Sequence, residues 1–503
     1  MKIPYNHLKN QTKIVIIDIK SLKKNRGKQT FPQLKYVMEG YHLSNRCVVI
    51  LAAGDGKRMK SNKPKVLCEV LFRPMLGWVL DACQKADAGD ICIIKGKGSE
   101  LLDTYLDGKY ETVMQNERLG TGHALMQAAS FLEAHRGGDL LVLCGDAPFI
   151  DAETIRKAYE LHVSGGYSAT VITADLDSPY GYGRMLRSDD RIIGIVEEKD
   201  ATDDQRKIRE VNSGAYWFNV NDLLTVAPGL SNDNRQQEYY LTQFIPLLLA
   251  AGKTVGGYRA ETADAVLGAN DRAGLLKLNQ IAAERVIRRH LENGVEFVST
   301  DGVLIMPEVE IGQDTVILPG TILKGNTKIG SGCQIGPNSL VENSVVGDET
   351  IFNASQCYES IIHDHVKIGP FCHIRPNSEI MDNVKIGDFV EVKNSTIGEY
   401  TAVSHLTYVG DSDVGRNVNF GCGVVTVNYD GVHKHRCVIE DNAFIGCNTN
   451  LVAPVHIGNG AYTGAGSTIT KDVPEDALGI ARARQSNIEG FAAKKLEGRK
   501  RKV

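Results

Sequence analysis

The stretch Cys47-Val-Val-Ile-Leu-Ala-Ala-Gly-Asp-Gly-Lys-Arg-Met59 opens with an unbroken apolar run and then breaks into a glycine-rich turn. A strand buried on both faces reads as a continuous apolar run rather than an alternation, and a parallel sheet hands its chain to such a loop at the strand's end. Working outward, Ile91–Ile94, Leu140–Cys144 and Ala169–Ile172 are runs of the same kind, bounded by Gly/Asp breaks and separated by helical stretches such as His123 to Ala134. The alternation predicts a Rossmann-like α/β domain.

Five cations, Lys57, Arg58, Lys60, Lys63 and Lys65, follow Asp55 within nine residues. Gly54 and Gly56 let the backbone approach phosphate oxygens without a Cβ clash, and Arg58 and Lys65 suit the charge on a leaving pyrophosphate. The pattern is neither a Walker A loop nor a full dinucleotide fingerprint, because Met59 stands at the third glycine position; a solvated basic turn has the same composition. Asp146, in Leu143-Cys-Gly-Asp-Ala-Pro148, falls at the carboxyl end of a buried run, where α/β sheets place ligand sites and where a capping Asp is also at home.

A connecting helix is expected over Arg272–Leu291, with Leu275, Leu276, Leu278, Ile281, Ala282, Val286 and Ile287 at helical spacing and Gly294 as its stop. Beyond it the period changes. Aliphatic-glycine pairs recur from Ile311-Gly312 to Ile457-Gly458, and Ile311 to Ile329 and Ile368 to Ile386 are both 18 residues apart. Eighteen residues make one three-sided turn of a hexapeptide β-helix, expected here to be left-handed and parallel. The aliphatic residue points inward and the small one lets the chain turn, which accounts for 51 glycines in 503 residues. The period breaks between Ile335 and Ile368 and again at Asn428 to His435, where a binding loop is expected. The organisation expected is therefore a basic extension over 1–46, disordered or a mis-assigned start; an α/β domain over 47–270; a linker helix over 271–294; a β-helix over 295–490; and a basic tail over 491–503.

Charge excludes other readings. Residues 1–46 hold ten Lys/Arg against Asp18 and Glu39, a local +8 within a chain whose net charge is −4, so the remaining 457 residues carry −12. Such a body is not drawn to nucleic acid or to an anionic membrane, and the arm lacks interleaved aromatics. With 42% hydrophobic residues the chain has ample core, and its longest N-terminal apolar run, Ile14–Ile17, is too short for a leader or a span. Eleven scattered cysteines without a Cys-x-x-Cys pair argue for a reducing cytoplasm rather than a disulfide scaffold or a thiolate zinc site. His363-x-His365 and His433-x-His435 lack the acidic or Cys companions of a metal site.

The run Leu51–Met59 followed by Pro64-Lys65-Val66 resembles the signature of sugar-nucleotide pyrophosphorylases. From about residue 47 to 490 the chain resembles one family among them, the bacterial bifunctional N-acetylglucosamine-1-phosphate uridyltransferases / glucosamine-1-phosphate N-acetyltransferases of UDP-N-acetylglucosamine and peptidoglycan synthesis. The resemblance implies that Leu51, Ala52, Ala53, Gly54, Lys65, Gln115, Gly120 and Thr121 hold UTP, with Arg58 and Lys65 acting on its phosphates; His123, a lone histidine in the run Leu119–Ala124, is read as a helix N-terminal residue with no chemistry. It implies that Gly183, Glu197 and Asn212 hold the acceptor sugar, with Glu198 and Lys199 as surface charges. Asp146 and Asn270 become Mg²⁺ ligands, two oxygen donors suited to a hard octahedral ion, while Asp271 is left as a helix cap.

In the second half the resemblance makes His405, in Ser404-His-Leu-Thr-Tyr-Val-Gly-Asp411, the general base. The chemistry fits, since an amine attacks a thioester only when unprotonated and an imidazole titrating near neutrality can take its proton. Arg375 and Lys393 would clamp the sugar phosphate, with Tyr408, Asn419, Asn428 and Lys434 holding glucosamine or ordering its loop. Acetyl-CoA would meet Cys422, Asn428, Tyr429, Cys447, Ala465 and Arg482, and the two cysteines would make acetyltransfer sensitive to thiol reagents. The resemblance further implies a homotrimer with sites between subunits. Two other readings remain: a single-activity sugar-nucleotide pyrophosphorylase whose β-helix serves only assembly, and a scaffold acting through the basic arm.

Overall fold

In a computed structural model the protein is described over residues 46–54 and 56–496. The basic extension apart from Arg46, Asp55, and the tail from 497 onward lie outside the described residues.

The apolar runs form strands as their pattern requires. β1 (Arg46–Ala52), β2 (Asp90–Gly96), β3 (Glu111–Gln115), β4 (Asp139–Cys144), β5 (Ala169–Asp175), β6 (Arg184–Ser188), β7 (Arg191–Val196), β8 (Glu210–Asn219) and β9 (Val255–Arg259) make one nine-stranded sheet among the described residues. Its order is β9-β5-β8-β4-β1-β2-β3, with β6 bridging β8 and β7. β1 pairs in parallel with β2 and β4, and β8 runs antiparallel to β4 and β5. Cys47, Val48, Val49 and Ile50 are fully buried, because helices cover both faces of the central strand. The helix expected over 123–134 is two, α1 (Thr121–Gln127) and α2 (Ala129–Ala134), which abut at Ala128, whose ψ of 17° leaves the helical range. Apolar spacing does not register a kink of one residue.

α3 (Arg272–Glu292) begins where Asp271 accepts from Gly274 N–H at 2.8 Å. It buries Leu275, Leu278, Ala282, Val286 and Ile287 in one apolar cluster with Met59, Met75 and Phe149 on one side and Val295, Val303 and Ile305 on the other. Leu276, counted on its apolar face from spacing, instead points to solvent, 61% exposed. No helix among the described residues is long and apolar enough to cross a membrane.

After α3 the chain winds into a parallel β-helix of three sheets, with 11, 10 and 9 strands among the described residues. Each face carries one inward column: Ile317, Ile335, Phe352, Ile368, Ile386, Val403, Phe420 and Ile445 stack in register and are buried. Successive partners on this face are 18, 17, 16, 18, 17 and 17 residues apart and then 25, from Phe420 to Ile445. The wide step contains Asn428–His435, so the expected loop leaves the corner while the column continues across it.

Candidate functional site

Sheet register builds the first site. Leu51 lies opposite Ile94 and Cys144, so the loops leaving β1, β2 and β4 emerge together, and Gly145 N–H donates to Leu51 O at 2.9 Å. A cleft of 290 Å³ opens there, lined by Leu51, Ala53, Gly54, Lys65, Gln115, Gly120, Thr121 and Asp146 together with Val66, Arg118, Ala124, Cys144 and Glu238. Ala52 lines the adjoining groove, and Arg58 sits exposed on the turn Lys57–Met59. Gly120 has to be glycine: its φ is 110°, and a Cβ would stand 2.5 Å from Tyr239 O. Its carbonyl accepts from Gln115 Nε2 at 3.1 Å, and His123 Nδ1 lies 3.1 Å from the same nitrogen. Both contacts fix the Gln115 amide, and the one from His123 is a contact that the sequence did not reveal.

Lys65 Nζ is held by the Asp146 carboxylate and, at 2.8 Å, by Asn270 Oδ1. An ammonium caught between two hard oxygens is a stand-in for a metal cation, and the donor set fits a hard divalent ion that keeps its remaining positions for phosphate and water.

Beside this cleft Gly183, Glu197 and Asn212 come together: Asn212 N–H donates to Gly183 O at 2.9 Å, and a Cβ on Gly183 would lie 3.5 Å from Glu197 Oε2. Burial pushes the Glu197 carboxyl above its ordinary value, partly offset by the Thr242 hydroxyl donating at 3.2 Å. Two buried tyrosine hydroxyls share this region. Tyr240 Oη has no hydrogen-bond partner among the described residues, and Asn212 lies near Tyr216 Oη without good hydrogen-bond geometry. Buried hydroxyls left so are costly unless a polar ligand meets them. Glu198, expected as a surface charge, is not one: it accepts from buried Arg184 Nη2 at 2.7 Å and from Gly181 N–H at 3.1 Å. A buried guanidinium needs a paired carboxylate, and this pair secures the start of β6, directly after Gly183.

The second site lies on one corner of the β-helix. The same backbone bond repeats up that corner, from Leu406 N–H to Asp388 O, Gly423 N–H to His405 O, Asn448 N–H to Cys422 O and Gly466 N–H to Cys447 O. Asp388, His405, Cys422, Cys447 and Ala465 therefore form a column, one residue per coil, and about 14 Å separates His405 from Ala465 at the usual spacing between strands. Cys422 is partly exposed and Cys447 exposed, and Arg482 Cδ lies beside Gly466 at the column's end. His405 Nδ1 is 2.6 Å from Asp388 Oδ1, and that bond holds the Asp388 carboxyl below its ordinary value.

On the neighbouring face stand Arg375, Lys393 and Lys434. Lys434 beside it, more than desolvation, lowers the Lys393 ammonium's pKa, and Arg375 adds to the effect while Asp411 opposes it. Arg375 Nη1 is paired with Glu391 at 2.8 Å. Three cations set together at a mutual cost are what an anionic ligand would relieve. Buried Asp411 accepts from the Asn428 side-chain amide, whose Nδ2 also donates to Tyr408 Oη at 3.3 Å. Asn428 thus joins Tyr408 rather than the column, while Tyr429 and Asn419 are exposed. His435 Nε2 sits 2.8 Å from Asp430, His363 3.0 Å from Glu379 and His365 3.2 Å from Glu349.

Residues 48–211 match the MobA-like NTP transferase domain, and 308–343, 359–394 and 436–471 match the bacterial transferase hexapeptide repeat. The chain is 48% identical to the bifunctional protein GlmU of Geobacillus thermodenitrificans over 91% of its own length and 99% of that protein. It is 45% identical to the GlmU of Alkaliphilus metalliredigens (90% and 99%) and 47% to that of Caldanaerobacter subterraneus (89% and 98%). The chain belongs to the GlmU family. Like that family it is bifunctional, a uridyltransferase joined to an acetyltransferase, with the β-helix left-handed. The reading of an assembly-only β-helix falls with this.

Within the GlmU framework the residues that sequence reasoning passed over are those bound to another side chain: Arg184 to Glu198, Asp411 to Asn428 and Asp388 to His405. Arg118, whose Nε donates to Ala53 O at 2.9 Å, joins them. Asp388 and Asp411 each stand 17 positions before their partners, close to one coil length, a spacing that identifies a pair only once the length of each coil is known.

Proposed function

We propose that each half of the chain carries one step of UDP-N-acetylglucosamine synthesis, at the residues placed above, with residues 47–270 and 295–490 as the two working units. In the β-helix, glucosamine 1-phosphate sets its phosphate against Arg375, Lys393 and Lys434 and its amine toward His405, while Tyr408, Asn419 and the Asn428 loop enclose the ring. Acetyl-CoA lies along the column of Cys422, Cys447 and Ala465, with Tyr429 and Arg482 at its flanks. The amine nitrogen bonds to the thioester carbonyl carbon, His405 Nε2 takes the amine proton, and the C–S bond breaks to release coenzyme A.

In the α/β cleft the nucleobase meets Gln115, Gly120 and Thr121 and the triphosphate meets Gly54, Arg58 and Lys65, while Gly183, Glu197 and Asn212 hold N-acetylglucosamine 1-phosphate. Its phosphate oxygen attacks the α-phosphorus in line with departing pyrophosphate; Lys65 and Arg58 neutralise the leaving charge, so positioning and electrostatics carry the rate. Mg²⁺ held by Asp146 and Asn270 would supply charge neutralisation at the phosphates.

The observation that carries this reading is the pair of separate charge constellations, Lys65–Asp146–Asn270 on the sheet and Asp388–His405 beside three cations on the β-helix. Separate assays of the two reactions test it. Asp146→Ala is expected to lose uridylyl transfer by about 10²- to 10³-fold and keep acetyltransfer, and His405→Ala to lose acetyltransfer by about 10²- to 10⁴-fold and keep uridylyl transfer. A variant that loses both, or neither, overturns the assignment.

The assembly proposed is a homotrimer in a reducing cytoplasm, where eleven unpaired cysteines persist. Phe371 and Phe389 stack at 5.4 Å and, with Leu406, form an exposed apolar ridge (61%, 57% and 59%) on coil corners with positive φ. Exposed aromatics at strained corners need covering, and a second copy of this surface supplies it.

A further inference from the structure

His405 can act as a base through Nε2 only if its other ring nitrogen carries the hydrogen, which is the tautomer that free imidazole disfavours. The structure supplies a reason for that tautomer. Asp388 pairs with His405 in the register of adjacent coils, Asp388 on Lys385–Asp388 and His405 on Ala402–His405, and its Oδ1 stands 2.6 Å from Nδ1. The contact is between an exposed histidine (57%) and a partly exposed aspartate (40%), so no burial forces it. A carboxylate in this range has no hydrogen to give and only accepts, so Nδ1 must be the N–H.

We propose that Asp388 is a positioning residue for acetyltransfer, which holds His405 as the Nδ1–H tautomer and aims Nε2 at the amine of the acceptor sugar. The inference rests on His405 being the general base. The groups that face the pair are few. Lys385 lies on the Asp388 strand, Cys372 feels Asp388 from the coil before, and Asn419 and Cys422 stand on the coil after. The hydrogen bond to His405 keeps Asp388 below the usual carboxylate range, so it remains an acceptor wherever the enzyme works near neutrality. Asn394, Asn428 and Arg436, by contrast, fix the nearby loop and do not touch the imidazole.

The size of the effect follows from exposure. General base catalysis is worth about 10²–10⁴-fold, and a tautomer-fixing aspartate in a buried triad can carry most of that. Here water can replace part of the contact, so Asp388→Ala is expected to lower kcat for acetyltransfer about 10-fold and to leave KM for glucosamine 1-phosphate within about twofold. Asp388→Asn, whose amide can turn its NH₂ toward Nδ1 and so favour the Nε2–H tautomer, is expected to lose at least as much as Asp388→Ala.

The test reads both rate and tautomer in the full-length chain. ¹⁵N spectra of the ring should place the neutral wild-type His405 as Nδ1–H and the Asp388→Ala protein as largely Nε2–H, with uridylyl transfer unchanged in both. An unaltered tautomer in Asp388→Ala, or an unaltered kcat, overturns the positioning role. His405→Ala run alongside separates the two failures: if it retains acetyltransfer, the base assignment falls and takes this inference with it, whereas an inactive His405→Ala beside an unaffected Asp388→Ala removes Asp388 alone.

Discussion

At the scale of single residues, ionisation decides what each site can bind. Burial raises the Glu197 carboxyl, so it protonates at higher pH than a free glutamate. Only the ionised form accepts hydrogen bonds at both oxygens, so KM for N-acetylglucosamine 1-phosphate is expected to climb as pH falls through that raised value. The climb should vanish in Glu197→Gln, and a pH-independent wild-type KM would remove Glu197 from the sugar site. The thiols separate in the same way. Cys144 reaches the nucleotide cleft, yet its Sγ turns inward to Gly214 O at 3.7 Å and burial pushes it up to about 12. Cys422 and Cys447 face outward on the His405 column. Alkylation is therefore expected to abolish acetyltransfer and spare uridylyl transfer, and Cys422→Ala with Cys447→Ala should confer resistance. Composition and motif could name Lys65, Asp146 and His405 as candidates, because their neighbours in sequence carry the meaning. They could not name Asp388 or Asp411, because coil lengths vary between 16 and 18 residues and once reach 25, and an in-register partner exists only once each length is known.

At the scale of elements, the spine of the β-helix is a stack of single aliphatic residues, each sealed by the rungs above and below. Ile386 lies in such a column between Ile368 and Val403 and is 1% exposed. Ile386→Ala should cost about 2–5 kcal/mol, because the rigid neighbours cannot collapse into the cavity. Denaturant unfolding of the second half reads it, and a loss under 1 kcal/mol would mean that the coils relax freely. Ile386 also stands one coil below the His405 strand, so acetyltransfer should suffer before folding does. The strands of the sheet and the coil period were legible because burial on both faces leaves uninterrupted apolar runs, and because one residue per corner has to be small. The division of a helix at Ala128 and the outward turn of Leu276 were not, since both depend on what packs against them.

At the scale of the whole molecule, the apolar ridge of Phe371, Phe389 and Leu406 predicts how copies meet. Phe371→Asp with Phe389→Asp is expected to convert the proposed trimer to monomer in sedimentation experiments, with acetyltransfer falling along with it and uridylyl transfer largely kept. A variant that stays trimeric would place the contact elsewhere. α3 explains why one half can be spared: at 21 residues it is about 31 Å long, and its buried face joins the cluster that runs on into the β-helix, whereas the apolar clusters of the sheet contain none of its residues, so the sheet closes its core without the β-helix.

Between Phe420 and Ile445 the column takes a step of 25 residues. Because the rungs resume the same column on either side of it, the chain can swell at that corner without the spine registering the change. Recognition of the acceptor is thereby uncoupled from the scaffold's own integrity, and a new loop grafted between Val427 and Cys437 would alter which amine the base meets while leaving the inherited frame intact.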